Sequence, residues 1–330
     1  GSGAFDLCSG EYEVTVTDLN NCTPVVETYV LDEPDPINLL EVDDTRINVL
    51  CYGEPTGSIT VTTSGGTPGY IYALKGLTYA GDSVNTQTAV VPNNLHTYDQ
   101  LFAGNYSLSV VDANGCEMIL PDISITQPDD PLQTQNIVLS DYNGFNVNCF
   151  GDTNGTIDLE VIGGVAPYQY AWTGPNGFTS SSLNLQNVAA GDYELTITDG
   201  NNCTYIENIE LTSPEEIILD VTAQNVLCGG ANDGNIFINS ITGGTGTYQF
   251  VWIKDGEGEI KRSFTPQDLR DIGPGNYVLV VTDENNCNKV FRYEITEPEP
   301  LVITLDTQLN IQCFGEDDGL IEVTVAGGTG

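Results

Sequence analysis

The side chains here that could do chemistry are thiols and carboxylates, and both recur at fixed places. "VTVTDLNNC" ends at Cys22, "LSVVDANGC" at Cys116, "LTITDGNNC" at Cys203 and "LVVTDENNC" at Cys287. A second motif opens at Cys51 ("CYGEPTG"), Cys149 ("CFGDTNG"), Cys228 ("CGGANDG") and Cys313 ("CFGEDDG"). Nine cysteines in a chain of short β segments point to an oxidising compartment, where thiols pair into disulfides. The sequence contains no CxxC, which argues against zinc and thioredoxin-like chemistry.

The acidic turns allow two readings. Asp112 with Asn114, Asp199 with Asn201 and Asp283 with Asn285 offer the hard oxygen ligands that Ca²⁺ gathers, and the acidic loops carrying Asp152 and Asp233 are expected beside them. Equally, Asp and Asn are what a tight turn selects for its own Asx hydrogen bonds. No cofactor is required by the sequence, and structural Ca²⁺ is the one candidate.

Catalysis finds little footing. His96, the one histidine, lies in the polar stretch "VPNNLHTYDQ" and reads as a surface-loop residue without a nucleophile to serve. "GGTGTY" has the glycines of a phosphate loop and lacks its lysine. Forty-seven acidic against eight basic residues give a formal net charge of −39, which repels nucleic acid. No apolar run is long enough to span a membrane, so no direct membrane insertion is expected. The expectation is a protein that is not an enzyme.

The elements that must position these groups are repeated too. The second cysteine motif recurs after 98, 79 and 85 residues, close to the length of an immunoglobulin-like sandwich. Behind it runs an alternating strand: Ile59 and Val61, Ile157 and Leu159, Ile236 and Ile238. A Gly-Gly pair then turns the chain, glycine tolerating the positive φ of a tight reversal. The next strand carries Tyr70, Tyr72 and Leu74, then Tyr168, Tyr170 and Trp172, then Tyr248, Phe250 and Trp252, with both tryptophans expected in the core. Tyr12, Tyr106, Tyr193 and Tyr277 follow a Gly-x pair in the manner of a tyrosine corner.

The fold class expected is all-β: tandem immunoglobulin-like β-sandwich repeats arranged as an extended rod. Complete repeats are placed at 37–130, 131–214 and 215–300, between partial ones at 1–36 and 301–330, and the chain reads as a window on a longer array. Proline-containing linkers, "LDEPDP", "TQPDDP", "TSPEE" and "TEPEP", separate them. Counting an odd number of reversals between the two cysteine motifs puts both at one pole of a repeat. Disulfides are then expected between Cys51 and Cys116, Cys149 and Cys203, and Cys228 and Cys287, leaving Cys8, Cys22 and Cys313 unpaired.

The order "C.G…G.I.V…GG..PY.Y.W", then "L.AG.Y…D.nGC", then "I.I..P" resembles the SprB repeat of large Bacteroidota cell-surface proteins. Cys149, Gly151, Gly155, Gly163, Gly164, Pro167, Tyr168, Tyr170, Trp172, Gly191, Tyr193, Asp199 and Cys203 carry the resemblance best. It implies a secreted, extracellular adhesin or filament on the exterior of the outer membrane, exported by type IX secretion and serving adhesion and gliding motility. "DSV" at Asp82 to Val84 similarly resembles an O-glycosylation acceptor, with Ser83 as the site. The partners expected are neighbouring repeats of the same chain, surface polysaccharide or other adhesin chains. Polysaccharide-binding modules, or spacers of a large secreted enzyme, stand as the alternative.

Overall fold

The computed structural model describes residues 3, 6–20, 22–88, 90–91, 94–256, 258–259 and 267–329. These residues form strands, turns and a single three-residue 3₁₀ turn at Pro175–Gly177. The chain divides into two compact units: Gly1–Gln133 with Val161–Gln169 and Ile197–Tyr205, and Thr134–Glu160 with Tyr170–Thr196 and Ile206–Gly330.

In the first unit a seven-stranded sandwich runs from Asn38 to Ile125. One antiparallel sheet joins Asn38–Glu41, Gly57–Ser64 and Leu95–Leu101 in that order; the other orders Ser83–Gln87, Ile71–Thr78, Gly104–Val111 and Glu117–Ile125. The alternation read from sequence becomes burial, because successive side chains of a strand face opposite ways. Ile59, Val61, Tyr72, Leu74, Leu108, Val110 and Ile125 meet in one core. Thr63 lies in it as well, its hydroxyl satisfied by the Tyr72 phenol at 2.9 Å.

The second unit holds an equivalent sandwich. Ile218–Gln224, Gly234–Thr242 and Leu269–Ile272 form its small sheet; Gly258–Glu259, Gln249–Lys254, Gly275–Thr282 and Asn288–Ile295 form the large one. Its core gathers Ile236, Trp252, Leu269, Tyr277, Leu279 and Val281. The strands of 133–211 repeat the same order, with Trp172 buried and its indole N–H donating to Ser182 O at 2.9 Å. Each end of the chain contributes one hairpin: Gly10–Val16 with Val25–Leu31, and Val302–Leu309 with Leu320–Ala326. Their apolar residues, Val16 and Ile321 among them, are exposed.

The tyrosine corner forms in every copy. The phenols of Tyr12, Tyr106, Tyr193 and Tyr277 donate to the carbonyls of Cys8, Phe102, Ala189 and Gly273, at 2.7 to 2.8 Å. His96 departs from expectation. It lies on the strand Leu95–Leu101 opposite Val61, half-buried, stacked on Tyr72 at 5.1 Å and edge-on to Tyr98 at 4.6 Å. Burial lowers its pKa.

The strand Ser83–Gln87 corrects the pole assignment. It adds one reversal between the two cysteine motifs, making four where an odd number was expected, so the motifs sit at opposite ends of a sandwich. At the upstream pole, Thr67 N–H donates to Asp112 Oδ2 at 2.9 Å, bringing the Gly-Gly turn to the Asp-x-Asn turn. At the downstream pole, Val49 N–H donates to Thr126 O at 2.8 Å, and Gly53 N–H to Gln127 Oε1 at 3.0 Å, tying the Cys51 loop to the end of the last strand. The second unit repeats both arrangements, through Thr245 with Asp283 and Val226 with Thr296.

Candidate functional site

With their poles opposite, Cys51 and Cys116 cannot meet. The disulfides are Cys51–Cys203, within the first unit, and Cys149–Cys287, within the second, with Cα atoms 5.5 and 5.6 Å apart. The three pairings expected within repeats are therefore replaced by bonds from the downstream loop of one repeat to the upstream turn of the next. Cys8, Cys22, Cys116, Cys228 and Cys313 carry free, exposed thiols.

Each clasp is assembled from local hydrogen bonds. On the upstream turn, Asp199 Oδ1 accepts from Asn201 N–H and Cys203 N–H, both at 2.8 Å, while Oδ2 accepts from Val165 N–H at 2.9 Å. Asp283 does the same for Cys287 and Thr245, at 2.8 Å each. These aspartates are nearly fully buried, and the N–H donors replace the water their carboxylates give up. The equivalent Asp112 is held below the usual carboxylate range by Thr67 N–H first and Cys116 N–H second.

The asparagine of the turn reaches across. Asn201 Nδ2 donates to Leu50 O at 2.9 Å; Asn285 Nδ2 donates to Asn148 O and Tyr142 O, each at 3.3 Å, while its Oδ1 accepts from Asn143 Nδ2. In both clasps the carbonyl taken belongs to the residue just before the bonded cysteine. Around the second clasp lies a 540 Å³ pocket lined by Phe150, Asp152, Glu216 and Asp283, where Lys289 pairs with Glu216. The first has an equivalent pocket of 330 Å³ against Tyr52, Glu54 and Leu132.

The Gly-Gly pair has a role beyond turning the chain. Gly66, Gly164, Gly244 and Gly328 each donate N–H to a linker carbonyl, of Asp35, Asp130, Glu215 and Glu299, at 2.7 to 3.0 Å. A Cβ on the preceding glycine would strike the next linker carbonyl: 2.0 Å from Pro131 O for Gly163, 1.9 Å from Glu216 O for Gly243. The repeated "GG" before each aromatic strand, read with the proline linkers, was the available signal for this docking.

The calcium candidates are placed otherwise than expected. Asp283 shares its pocket with Asp152, from the acidic loop of the preceding repeat rather than its own. Asp152 accepts from Asn154 Nδ2 at 3.3 Å, and Asp233 Oδ1 from Leu227 N–H at 3.0 Å. Asn114 Nδ2 donates to Thr67 Oγ1 at 2.7 Å. Among the described residues no group of three or more His, Cys, Asp or Glu side chains is placed to hold a metal ion. Ser83 opens an exposed strand at the edge of its sheet, opposite Leu77.

Sandwiches of one strand order, linked by a repeated cystine, define a tandem immunoglobulin-like β-sandwich protein. The SprB repeat family matches four segments of the chain, residues 47–78, 145–177, 221–256 and 305–330. Each match starts shortly before, or in the strand leading to, the downstream cysteine. The second half of each repeat, with its tyrosine corner and acidic turn, lies outside the matched segments. No curated protein matches the sequence.

Solved structures with some likeness include the N-terminal eight Ig domains of Down Syndrome Cell Adhesion Molecule isoform 1.30.30. That match has a TM-score of 0.34 at 11% identity and covers 90% of this chain and 53% of that one. A C-terminal fragment of intimin, in complex with the translocated intimin receptor's intimin-binding domain, gives 0.31 at 15%, covering 57% and 67%. A tetra-tandem repeat from the extending region of a large adhesion protein gives 0.23 at 13%, covering 88% and 87%. This chain thus spans about half the length of the first of them.

Proposed function

We propose that this chain is a non-catalytic stalk of a cell-surface adhesin, its repeats bounded at 37–130, 131–214 and 215–300 between partial repeats at 1–36 and 301–330. The observation that carries the reading is the clasp, which uses the cysteine loop of one repeat and the acidic turn of the next to bond the two. Such a string of sandwiches, joined by short docked linkers, suits a stalk that projects whatever it bears. The SprB repeat supports a surface location, export by type IX secretion and a part in adhesion and gliding in a Bacteroidota bacterium. Ser83, exposed at a sheet edge, is the proposed O-glycan acceptor.

Labelling intact cells of the source bacterium with antibody raised to this fragment tests the reading. Surface label is expected; label that appears only after permeabilisation overturns it. Exposed aromatics beside the clasps, Tyr52 and Phe150, favour polysaccharide as a second reading. A glycan array probed with the fragment decides that one: saturable binding to a defined sugar supports a binding module, and a blank array leaves the stalk.

A further inference from the structure

The two disulfides interlock in sequence. Cys51 bonds Cys203 and Cys149 bonds Cys287, so the order along the chain is 51, 149, 203, 287 and each bond straddles one end of the other. Joining the bonded residues leaves two junctions, one at Cys51 and Cys203, the other at Cys149 and Cys287. Between these junctions run three separate lengths of chain: 51 to 149, 149 to 203, and 203 to 287.

From this connectivity we infer a second, mechanical function: the clasps make the array a triply redundant covalent tether that keeps its continuity after the backbone is cut and limits how far it can be stretched. Cutting any one length leaves two others connecting the junctions. A protease that nicks the linker "TQPDDP" or "TSPEE", both between the junctions, therefore leaves the upstream and downstream parts joined. Disulfides confined within repeats would lack this property, because a cut between two repeats would part them.

Tension follows the same map. Pulled from outside residues 51 and 287, an unfolding oxidised molecule extends only until the shortest connection, 203 − 149 = 54 residues, is taut. At full extension that is roughly 190 Å, against roughly 830 Å for the 287 − 51 = 236 residues of a reduced chain. The oxidised tether thus reaches, fully drawn out, about a quarter of the length that the reduced one does.

The test places the recognition sequence of a site-specific protease between Asp129 and Asp130 in one variant, and after Gln224 in another. Both positions are exposed, the first in a linker and the second at the end of the strand Ile218–Gln224. After cleavage, each variant is expected to run as a single full-length species on a denaturing gel without reductant and to split into two with it. Cys203→Ser should release the halves of the first variant only, and Cys287→Ser those of the second only. Separation of either cleaved variant without reductant, in the otherwise unchanged chain, overturns the inference. Non-reducing peptide mapping of the unaltered protein gives a readout independent of the insertions. Cross-linked peptides Cys51–Cys203 and Cys149–Cys287 are expected, and Cys51–Cys116 or Cys149–Cys203 peptides would sink it.

Discussion

The loop at Cys149 and the loop at Cys228 occupy the same place in successive repeats, one bonded and one open. Asn148 N–H donates to Asn154 Oδ1 and Asp152 N–H to Cys149 O; in the open loop Leu227 N–H donates to Asp233 Oδ1 and Ala231 N–H to Cys228 O, all at 3.0 to 3.1 Å. The loop is therefore shaped by its own sequence before any sulfur meets it. The upstream turns differ more. Asn201 and Asn285 reach to a carbonyl of the preceding repeat, whereas Asn114, beside the free Cys116, folds back onto Thr67. One side of the clasp is rigid and the other has a side chain that chooses its partner.

Removing sulfur should have the largest effect and the sharpest asymmetry. Closing loops of 152 and 138 residues stabilises by at most about 5 kcal/mol each in the chain-entropy treatment. Calorimetry of Cys203→Ser or Cys287→Ser should show clearly lowered melting, while Cys116→Ser and Cys228→Ser stay within about 0.5 kcal/mol of the parent. Equal losses at all four positions would erase the distinction between bonded and open poles.

Glycine substitutions probe the docked linker next. Gly163→Ala forces a Cβ onto Pro131 O and should destabilise by about 3 kcal/mol or more, as overpacking against backbone does. Gly230→Ala, also at positive φ but with open space around it, should lose only about 1 kcal/mol in denaturant titration. Asparagine gives a smaller contrast: Asn201→Ala should lose about 1 kcal/mol and Asn114→Ala less, since Asn114 makes an exposed contact to Thr67 within its own repeat.

Protonation gives the mildest effect. His96 and Asp112 both have folded pKa values below their unfolded ones, so each contributes stability that is present above its unfolded pKa and lost as pH falls through the folded one. Melting should first weaken below about pH 6.5 through His96, then again below about pH 4 through Asp112. His96→Gln should remove the first step and leave the second.

Much of the sandwich was legible because its signals are local and fixed in spacing. The alternation around Ile59 and Ile236, the Gly-Gly turns and the tyrosines four residues beyond their acceptors all follow from short-range geometry. The disulfide partners were not legible, because pole assignment depends on a count of reversals. Ser83–Gln87 is a polar strand inside what reads as an insertion, and its counterparts Thr179–Ser180 and Gly258–Glu259 are two residues long. One unseen strand inverts the parity and with it every pairing. His96 was missed for a related reason: a polar neighbourhood hid a strand whose inner side meets Tyr72.

Since the loop that gives a cysteine and the turn that receives it are different surfaces, the joint has a direction, and like never bonds to like. A gene could gain or lose one whole repeat by unequal recombination, and each remaining loop would still find a turn one step ahead. Length then becomes freely adjustable in evolution while the wiring stays constant.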